Sequence, residues 1–182
     1  MKKLALVLAA SGAFAFSVPG PAVASFESVE AKSAASDAAA VARQDMLDAF
    51  GEKSLKPGQY RWRSVATAGA PRVVVSLNDQ LAFLYKGDTL VAVSTISSGN
   101  SKKPTPTGIF PILEKKRFHR SIKYENAPMP FMQRIDNYGV ALHAGHLPGY
   151  PASHGCIRLP AQFAAKLFTV TDVGTPVLVG AS

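Results

Sequence analysis

After residue 70 the chain is built from short runs of apolar, β-branched and aromatic residues separated by polar turns. Val73 to Leu77 and Leu81 to Tyr85 are joined by Asn78-Asp79-Gln80, a pattern that predicts a β-hairpin. The turn Lys86-Gly87-Asp88 leads into a third run, Thr89 to Ile96, which extends the hairpin into a meander. Because these runs are too short for ordinary helices, we predict a mostly β domain.

The rest of this segment continues the pattern. Gly108 to Leu113, Val140 to His143 and Thr175 to Val179 are strand-like, and the polar stretch Ser97 to Thr107 is typical of a loop. Pro160 to Phe168 is the one helix predicted in the core, since proline suits a first helical turn. We therefore predict one domain over residues 71–180, with strands and one short helix.

A long mixed stretch, Glu114 to Asn137, interrupts the strands. It contains the basic run Lys115 to Arg120 and the proline-broken run Asn126 to Met132. Loops of this length in a compact domain are usually functional, so we predict a lid or flap whose basic run favours an anionic acceptor.

Residues 25–70 form a leader that precedes the strands. Phe26 to Phe50 is rich in alanine, and its apolar side chains follow a helical period only roughly. Gly51 and the turn Lys56-Pro57-Gly58 close the segment. We expect either a helix or a partly ordered tether.

The first 24 residues have the pattern of a secretory signal peptide. Met1-Lys2-Lys3 is basic, Leu4 to Val18 is largely apolar, and Ala22-Val23-Ala24 offers small residues for cleavage. The apolar run is shorter than the roughly 20 residues of a membrane-spanning helix. No cysteine follows it that could carry a lipid. We predict a soluble periplasmic or otherwise exported protein, associated with the cell wall, with no transmembrane segment.

Cleavage would remove Lys2 and Lys3 and no acidic residue, which lowers the formal net charge from +8 to +6. A basic exported protein tends to meet anionic surfaces such as wall polymers or phospholipid head groups. Export argues against nucleic acid as a partner, and we predict none.

Cys156 is the chain's single cysteine, so no intramolecular disulfide can form. It lies in Ser153-His154-Gly155-Cys156-Ile157-Arg158, thirteen residues after His143. In an oxidising compartment an unpaired thiol is either a buried apolar side chain or a reactive group. His143 can serve as its base, Gly155 leaves room for a carbonyl, and the N–H groups of Gly155 and Cys156 can form an oxyanion hole. This pattern indicates acyl transfer by a thiol nucleophile.

Four other polar residues are candidates for supporting roles at or near this pair. We expect His154 to brace the turn through hydrogen bonds rather than act as the base, and His119 to be a solvated residue of a basic loop. The role of His146 stays open. Arg158 either pairs with a substrate carboxylate in a bidentate manner or forms an ordinary salt bridge.

A zinc site is the main chemical alternative, because His143, His146, His154 and Cys156 are all ligand types that zinc accepts. One thiolate with three histidines is an uncommon zinc set, and no Asp or Glu lies between Val140 and Pro160 to act as a base. We therefore predict no metal.

These residues resemble the L,D-transpeptidase catalytic domain, or YkuD family. The family motif is a histidine followed, after a variable loop, by Ser/Thr-His-Gly-Cys and then Arg or Asn; here it is His143 and Ser153 to Arg158. Thr105-Pro106-Thr107-Gly108-Ile109-Phe110 is similar to a second family segment. The resemblance covers about Pro71 to Val179 and leaves the leader outside.

The resemblance implies a sandwich-like, mostly β fold with no cofactor. Cys156 would be the nucleophile and His143 the base, with the carbonyl of Ala144 orienting the imidazole. Beside Arg158, we expect Ser153, His154 and Met132 to line the substrate site.

The implied substrate is the peptidoglycan stem peptide, cleaved between the L-centre of its third residue and D-Ala at position four. The acyl group would then pass from the thiol to an amine. That amine is left open: another stem peptide, an outer-membrane protein or lipoprotein, or a free D-amino acid. Two alternatives also stay open, a carboxypeptidase or hydrolase with the same thioester and a non-catalytic wall-binding module.

Overall fold

A computed structural model of the chain describes residues 26–182, so the predicted signal peptide, residues 1–24, lies outside the described residues. Two helices and ten strands follow in chain order: α1 (Val29–Phe50), β1 (Tyr60–Trp62), β2 (Pro71–Ser76), β3 (Leu81–Lys86), β4 (Thr89–Thr95), β5 (Gly108–Pro111), β6 (Glu114–Lys116), β7 (Met132–Arg134), β8 (Ala141–Ala144), β9 (Ile157–Leu159), α2 (Ala161–Val170) and β10 (Pro176–Gly180). The prediction of a mostly β fold is confirmed.

The strands form two sheets. The larger has the order β1-β4-β3-β2-β10-β5, and the smaller has the order β6-β7-β8-β9. The predicted meander of β2, β3 and β4 is antiparallel throughout, with Val74 opposite Phe83 and Phe83 opposite Val93. Two pairs are parallel, β10 with β2 and β8 with β9. The second of these pairs carries the family motif.

Both faces of the larger sheet are covered. Val73 and Val75 pack toward the smaller sheet and α2, whereas Val74 and Phe83 pack toward α1. A strand covered on both faces needs apolar residues at every position, which explains why β2 and β3 are continuous apolar runs. The molecule therefore has three layers, with α1 on one side of the larger sheet and the smaller sheet with α2 on the other.

The leader contains a helix, one of the two states expected, but it is not a tether. Four side chains of α1 are fully buried on the side that faces the larger sheet: Ala35, Ala39, Ala42 and Met46. Their spacing of four, three and four residues marks one helix face. A Cβ on Gly180 would lie 2.5 Å from the carbonyl oxygen of Ala35, so glycine in β10 lets the helix approach the sheet closely.

The ends of α1 have recognisable caps. The Ser28 hydroxyl accepts a hydrogen bond from the N–H of Ala31 at 3.1 Å, and Gly51 ends the helix in a left-handed conformation at φ 68°. The sheet then begins earlier than residue 71, since Tyr60–Trp62 pairs with β4.

The predicted lid is shorter than the stretch Glu114 to Asn137. The stretch begins with β6 and contains β7 near its end, and these two strands pair in the smaller sheet. Residues 117–131 form the connection between them and are called the lid below. Lys115 belongs to β6 and donates to the carbonyl oxygens of Phe168 and Thr171 at the end of α2. It is therefore a structural residue rather than part of a basic lid.

Among residues 26–182, neither helix combines the length and the apolar character that crossing a bilayer requires.

Candidate active site

The parallel pairing of β8 with β9 brings the motif residues together. His143 lies opposite Arg158 and Leu142 lies opposite Ile157. Since side chains alternate along a strand, Leu142 and Ile157 point into the core, while Cys156, His143 and Arg158 share the other face. Two segments separated by a loop in sequence thus form one site.

This face opens into a cavity of about 1250 Å³, with the lid as one wall. The residues that line it include Cys156, His143, Arg158, His119, His146, His154 and Tyr124. The cavity is large enough for a short peptide, since small-molecule sites are typically about 300–1000 Å³.

The imidazole of His143 is held by its neighbour. Its Nδ1 lies 2.8 Å from the carbonyl oxygen of Ala144, and a carbonyl can only accept, so Nδ1 carries the proton. Nε2 is then the nitrogen that can take a proton from another group. The side chain is buried, which also limits its movement.

Burial lowers the pKa of His143 to about 4 because the charged imidazolium loses its hydration. The bond to the Ala144 carbonyl acts in the opposite direction, and the positive charges of Arg158 and His119 lower the pKa further. At neutral pH His143 is therefore uncharged and ready to act as a base.

Cys156 is half-buried at the bottom of this cavity. Its sulfur lies 3.7 Å from the carbonyl oxygen of Gly139 and packs beside the apolar cluster of Met129, Met132 and Ala141. Burial raises the pKa of the thiol, and the charge of Asp136 adds to this, while the Ala141 backbone and Arg158 lower it. The resting pair is thus a neutral thiol and a neutral imidazole, not an ion pair.

The nucleophile loop, residues 153–156, is held by its own hydrogen bonds. The Ser153 hydroxyl donates to the Cys156 carbonyl oxygen at 2.5 Å and accepts from the Gly155 N–H at 3.1 Å. Ser153 is 1% exposed and shapes the turn, and it also lies among the residues that line the cavity. Because the Gly155 N–H is used within the turn, Gly155 is not the oxyanion donor we expected.

Thr105 supports the same loop from outside. Its hydroxyl donates to the carbonyl oxygen of Gly155 at 2.9 Å and accepts from the N–H of Gly99 at 2.9 Å. Gly155 has a φ of 111°, in the region that favours glycine. The second family segment thus fixes the nucleophile loop, a role that its sequence alone did not indicate.

His154 does not brace the turn as expected. It is exposed, and its ring stacks on Tyr124 of the lid with centroids 4.5 Å apart and planes 10° apart. Lys103 donates to the Tyr124 hydroxyl at 3.0 Å. The contact therefore joins the lid to the nucleophile loop, and sequence reasoning missed Tyr124 because the pair is distant in the chain.

Three further predicted residues are now located. Met132 is 2% exposed, packs against the thiol and lies among the residues that line the cavity. His146 is exposed at the cavity. His119 was expected to be a solvated residue of a basic loop. It lines the cavity, and its charge lowers the pKa of His143.

Within residues 26–182 no three histidine, cysteine or acidic side chains are grouped as a metal site would require. His143 lies on β8 and Cys156 directly precedes β9, whereas the ring of His154 stacks on Tyr124 of the lid. The zinc alternative has no geometric support in this part of the chain.

The cavity combines a thiol, a neutral histidine with one free ring nitrogen, and a turn that is held by hydrogen bonds around the thiol. This combination can carry out acyl transfer. Together with the two-sheet fold, this defines the class as a cysteine acyl-transfer domain. The model of the YkuD family, the L,D-transpeptidase catalytic domain, matches residues 70–179, which is more than half of the chain. The chain belongs to this family.

Several solved structures have a similar fold. An L,D-transpeptidase from Mycobacterium tuberculosis H37Rv is 24% identical with a TM-score of 0.57, covering 60% of this chain and 57% of that one. An L,D-transpeptidase from Stackebrandtia nassauensis is 24% identical with a TM-score of 0.57, covering 74% and 64%. L,D-transpeptidase 3 from Mycobacterium tuberculosis, in complex with a faropenem-derived adduct, is 23% identical with a TM-score of 0.56, covering 61% and 60%.

These similarities concern the fold. The chain spans less than two thirds of the length of each of these structures. No curated protein sequence matches the chain.

Proposed function

We propose that this chain is an exported cysteine acyltransferase that acts on peptidoglycan stem peptides through a thioester on Cys156. It would cleave the bond between the L-centre of the third stem residue and D-Ala, then pass the acyl group to an amine. Membership of the L,D-transpeptidase family supports this reaction class.

The observation that carries the proposal is the geometry of His143. Its Nδ1 is engaged by the Ala144 carbonyl, so Nε2 is the nitrogen available to the cavity that it shares with Cys156. A buried imidazole with a lowered pKa accepts a proton only transiently, as a general base and acid must.

In the first half-reaction, Nε2 of His143 takes the thiol proton as the sulfur attacks the carbonyl carbon of the stem peptide. The resulting imidazolium gives that proton to the departing amine of D-Ala, and a thioester remains on Cys156. Since the N–H of Gly155 is used by Ser153, the remaining candidate in the loop for stabilising the oxyanion is the N–H of Cys156.

In the second half-reaction an amine attacks the thioester, His143 takes the proton that the amine loses, and the thiol recovers a proton. Outside the cytoplasm no ATP is available, and a thioester preserves enough of the original bond's free energy for an amine to capture it. No cofactor is needed for either step.

Arg158 is the residue best suited to bind a substrate carboxylate. Its guanidinium reaches the cavity beside His143, and no ion pair links it to an acidic residue among residues 26–182. A planar guanidinium pairs with a carboxylate through two hydrogen bonds. Stem peptides carry free carboxylates close to the cleaved bond, so Arg158 would orient the donor peptide.

A product analysis tests the proposal. Purified mature protein incubated with a disaccharide-tetrapeptide should release D-Ala and form cross-linked dimers, whereas Cys156→Ala should form none and keep its fold by circular dichroism. Shortened monomers without dimers would favour the hydrolase instead. Dimer formation by Cys156→Ala would contradict the mechanism, and binding without D-Ala release by the wild type would indicate a wall-binding module.

The export part of the proposal is supported by the sequence of residues 1–24. Mass spectrometry of the mature protein from its native cells should give an N-terminus at Ser25. A protein that retains Met1 would contradict export through a cleaved signal peptide.

A further inference from the structure

Asp136 lies in the turn between β7 and β8, away from the family motif. It is 8% exposed. One carboxylate oxygen, Oδ1, accepts the backbone N–H groups of Tyr138, Gly139 and Val140 at 2.9, 2.8 and 2.7 Å. A single side-chain oxygen thus fixes the orientation of three consecutive peptide groups.

The segment that Asp136 holds contacts the nucleophile. The carbonyl oxygen of Gly139 lies 3.7 Å from the sulfur of Cys156, at the distance of an S–H···O hydrogen bond. The N–H of Gly139 itself is one of the three that Asp136 binds. The peptide group that contacts the thiol therefore belongs to the turn that Asp136 holds.

Gly139 has a φ of 99°, in the left-handed region that only glycine adopts without strain. This conformation belongs to the turn whose carbonyl meets the sulfur. A rotation of the turn would move the carbonyl away from Cys156, and the three bonds to Asp136 oppose that rotation.

We propose that Asp136 is a positioning residue for the nucleophile: its carboxylate fixes the Tyr138 to Val140 turn, and the turn holds the thiol of Cys156 through the Gly139 carbonyl. The inference deepens the proposed function, because it assumes that Cys156 is the nucleophile. The role requires an acceptor oxygen at this position rather than a negative charge.

Asp136→Asn and Asp136→Ala separate these two requirements. Asparagine keeps an oxygen that can accept the three N–H groups, whereas alanine keeps none. We expect Asp136→Ala to lower kcat by about 10- to 100-fold, the scale of a misplaced reacting group, with KM within about 3-fold. Asp136→Asn should stay within about 3-fold of the wild type in both constants.

A spectroscopic measurement tests the positioning without any substrate. Cys156 is the only cysteine, so the S–H stretching band in a Raman spectrum reports this thiol alone. We expect the band of Asp136→Ala to move to the higher frequency of an unbonded thiol. The band of Asp136→Asn should match the wild type.

Asp45→Ala is the matched control for a lost carboxylate. Asp45 accepts a hydrogen bond from the Tyr85 hydroxyl at 2.6 Å, on the face of the larger sheet covered by α1. It should leave the S–H band unchanged. If Asp136→Ala does not fold, Gly139→Ala takes its place. A Cβ on residue 139 has open space around it, so this substitution disturbs only the backbone conformation of the turn. We expect the same shift of the S–H band.

An unchanged S–H band in Asp136→Ala or, in its place, Gly139→Ala would overturn the inference. So would an equal shift in Asp136→Asn or Asp45→Ala. A wild-type protein that catalyses no transpeptidation would refute the proposed function and not the positioning role, which the Raman comparison tests separately.

Discussion

Replacement of His143 by glutamine should remove a large part of the protein's sensitivity to acid. In the folded protein burial lowers the pKa of this histidine to about 4, against an ordinary value of 6.5 in the unfolded chain. The unfolded state therefore binds a proton at a higher pH than the folded state does. The stability that the neutral, buried imidazole contributes is present above pH 6.5 and is lost as the pH falls toward 4.

The size of the effect follows from the difference between the two pKa values. Each unit corresponds to about 1.4 kcal/mol, so the wild type should lose about 3 kcal/mol of unfolding free energy through His143 between pH 7 and pH 4. About 2 kcal/mol of this should already be lost at pH 5. His143→Gln cannot take up this proton and should lack that component.

Urea unfolding at pH 7, 5 and 4 measures the free energy of both proteins, and their difference isolates His143 from the carboxylates that titrate in the same range. His146→Gln is a matched control, because it removes an exposed histidine of the same cavity; it should follow the wild type. If the wild type and His143→Gln lose equal stability between pH 7 and pH 4, the imidazole is not held neutral by burial and the argument for a general base fails.

Three further substitutions test the supports of the site. Lys115→Met should lower the unfolding free energy by about 1 kcal/mol at pH 7, since a cation at the end of α2 is lost; an unchanged urea midpoint would contradict this. Thr105→Val should lower kcat by about 10-fold in a folded protein, because the Gly155 carbonyl loses its donor; wild-type kcat would show that the loop holds its shape unaided. Tyr124→Ala removes the stack on His154, so trypsin should cut the lid faster than in the wild type; equal cleavage rates would show that the stack does not hold the lid.

The sequence was most informative where structure is local. The meander of β2 to β4 was predictable because apolar runs and polar turns alternate over short distances. Helix α1 was harder, because its most apolar residues are not its buried ones. Val29 and Val41 are exposed, while small alanines such as Ala39 contact the sheet. Small side chains give a weak amphipathic signal in the sequence. In the structure they let α1 lie close to the larger sheet, where Gly180 leaves room for the helix.

The proposed catalytic pair was recognisable because a motif preserves residue type and spacing, but the residues that hold the pair in place were not. Ser153 and Gly155 were expected at the substrate, and the hydrogen bond between them shows that they also shape the turn. Tyr124 contacts a partner far away in sequence, by ring stacking on His154, and no local pattern marks such a contact. The bonds that Asp136 accepts from the N–H groups after it are local, but the approach of the Gly139 carbonyl to Cys156 depends on the packing of the whole domain.

The proposed mechanism requires that the stem peptide forms a thioester with Cys156. Mass spectrometry of the intact mature protein, quenched in acid during turnover of a disaccharide-tetrapeptide, detects this intermediate. The expected result is a mass increase equal to the substrate minus D-Ala, mapped by peptide digestion to Cys156, lost on treatment with hydroxylamine and absent from Cys156→Ala. Turnover with no adduct on the wild type under any quench time, or an adduct on another residue, would contradict it.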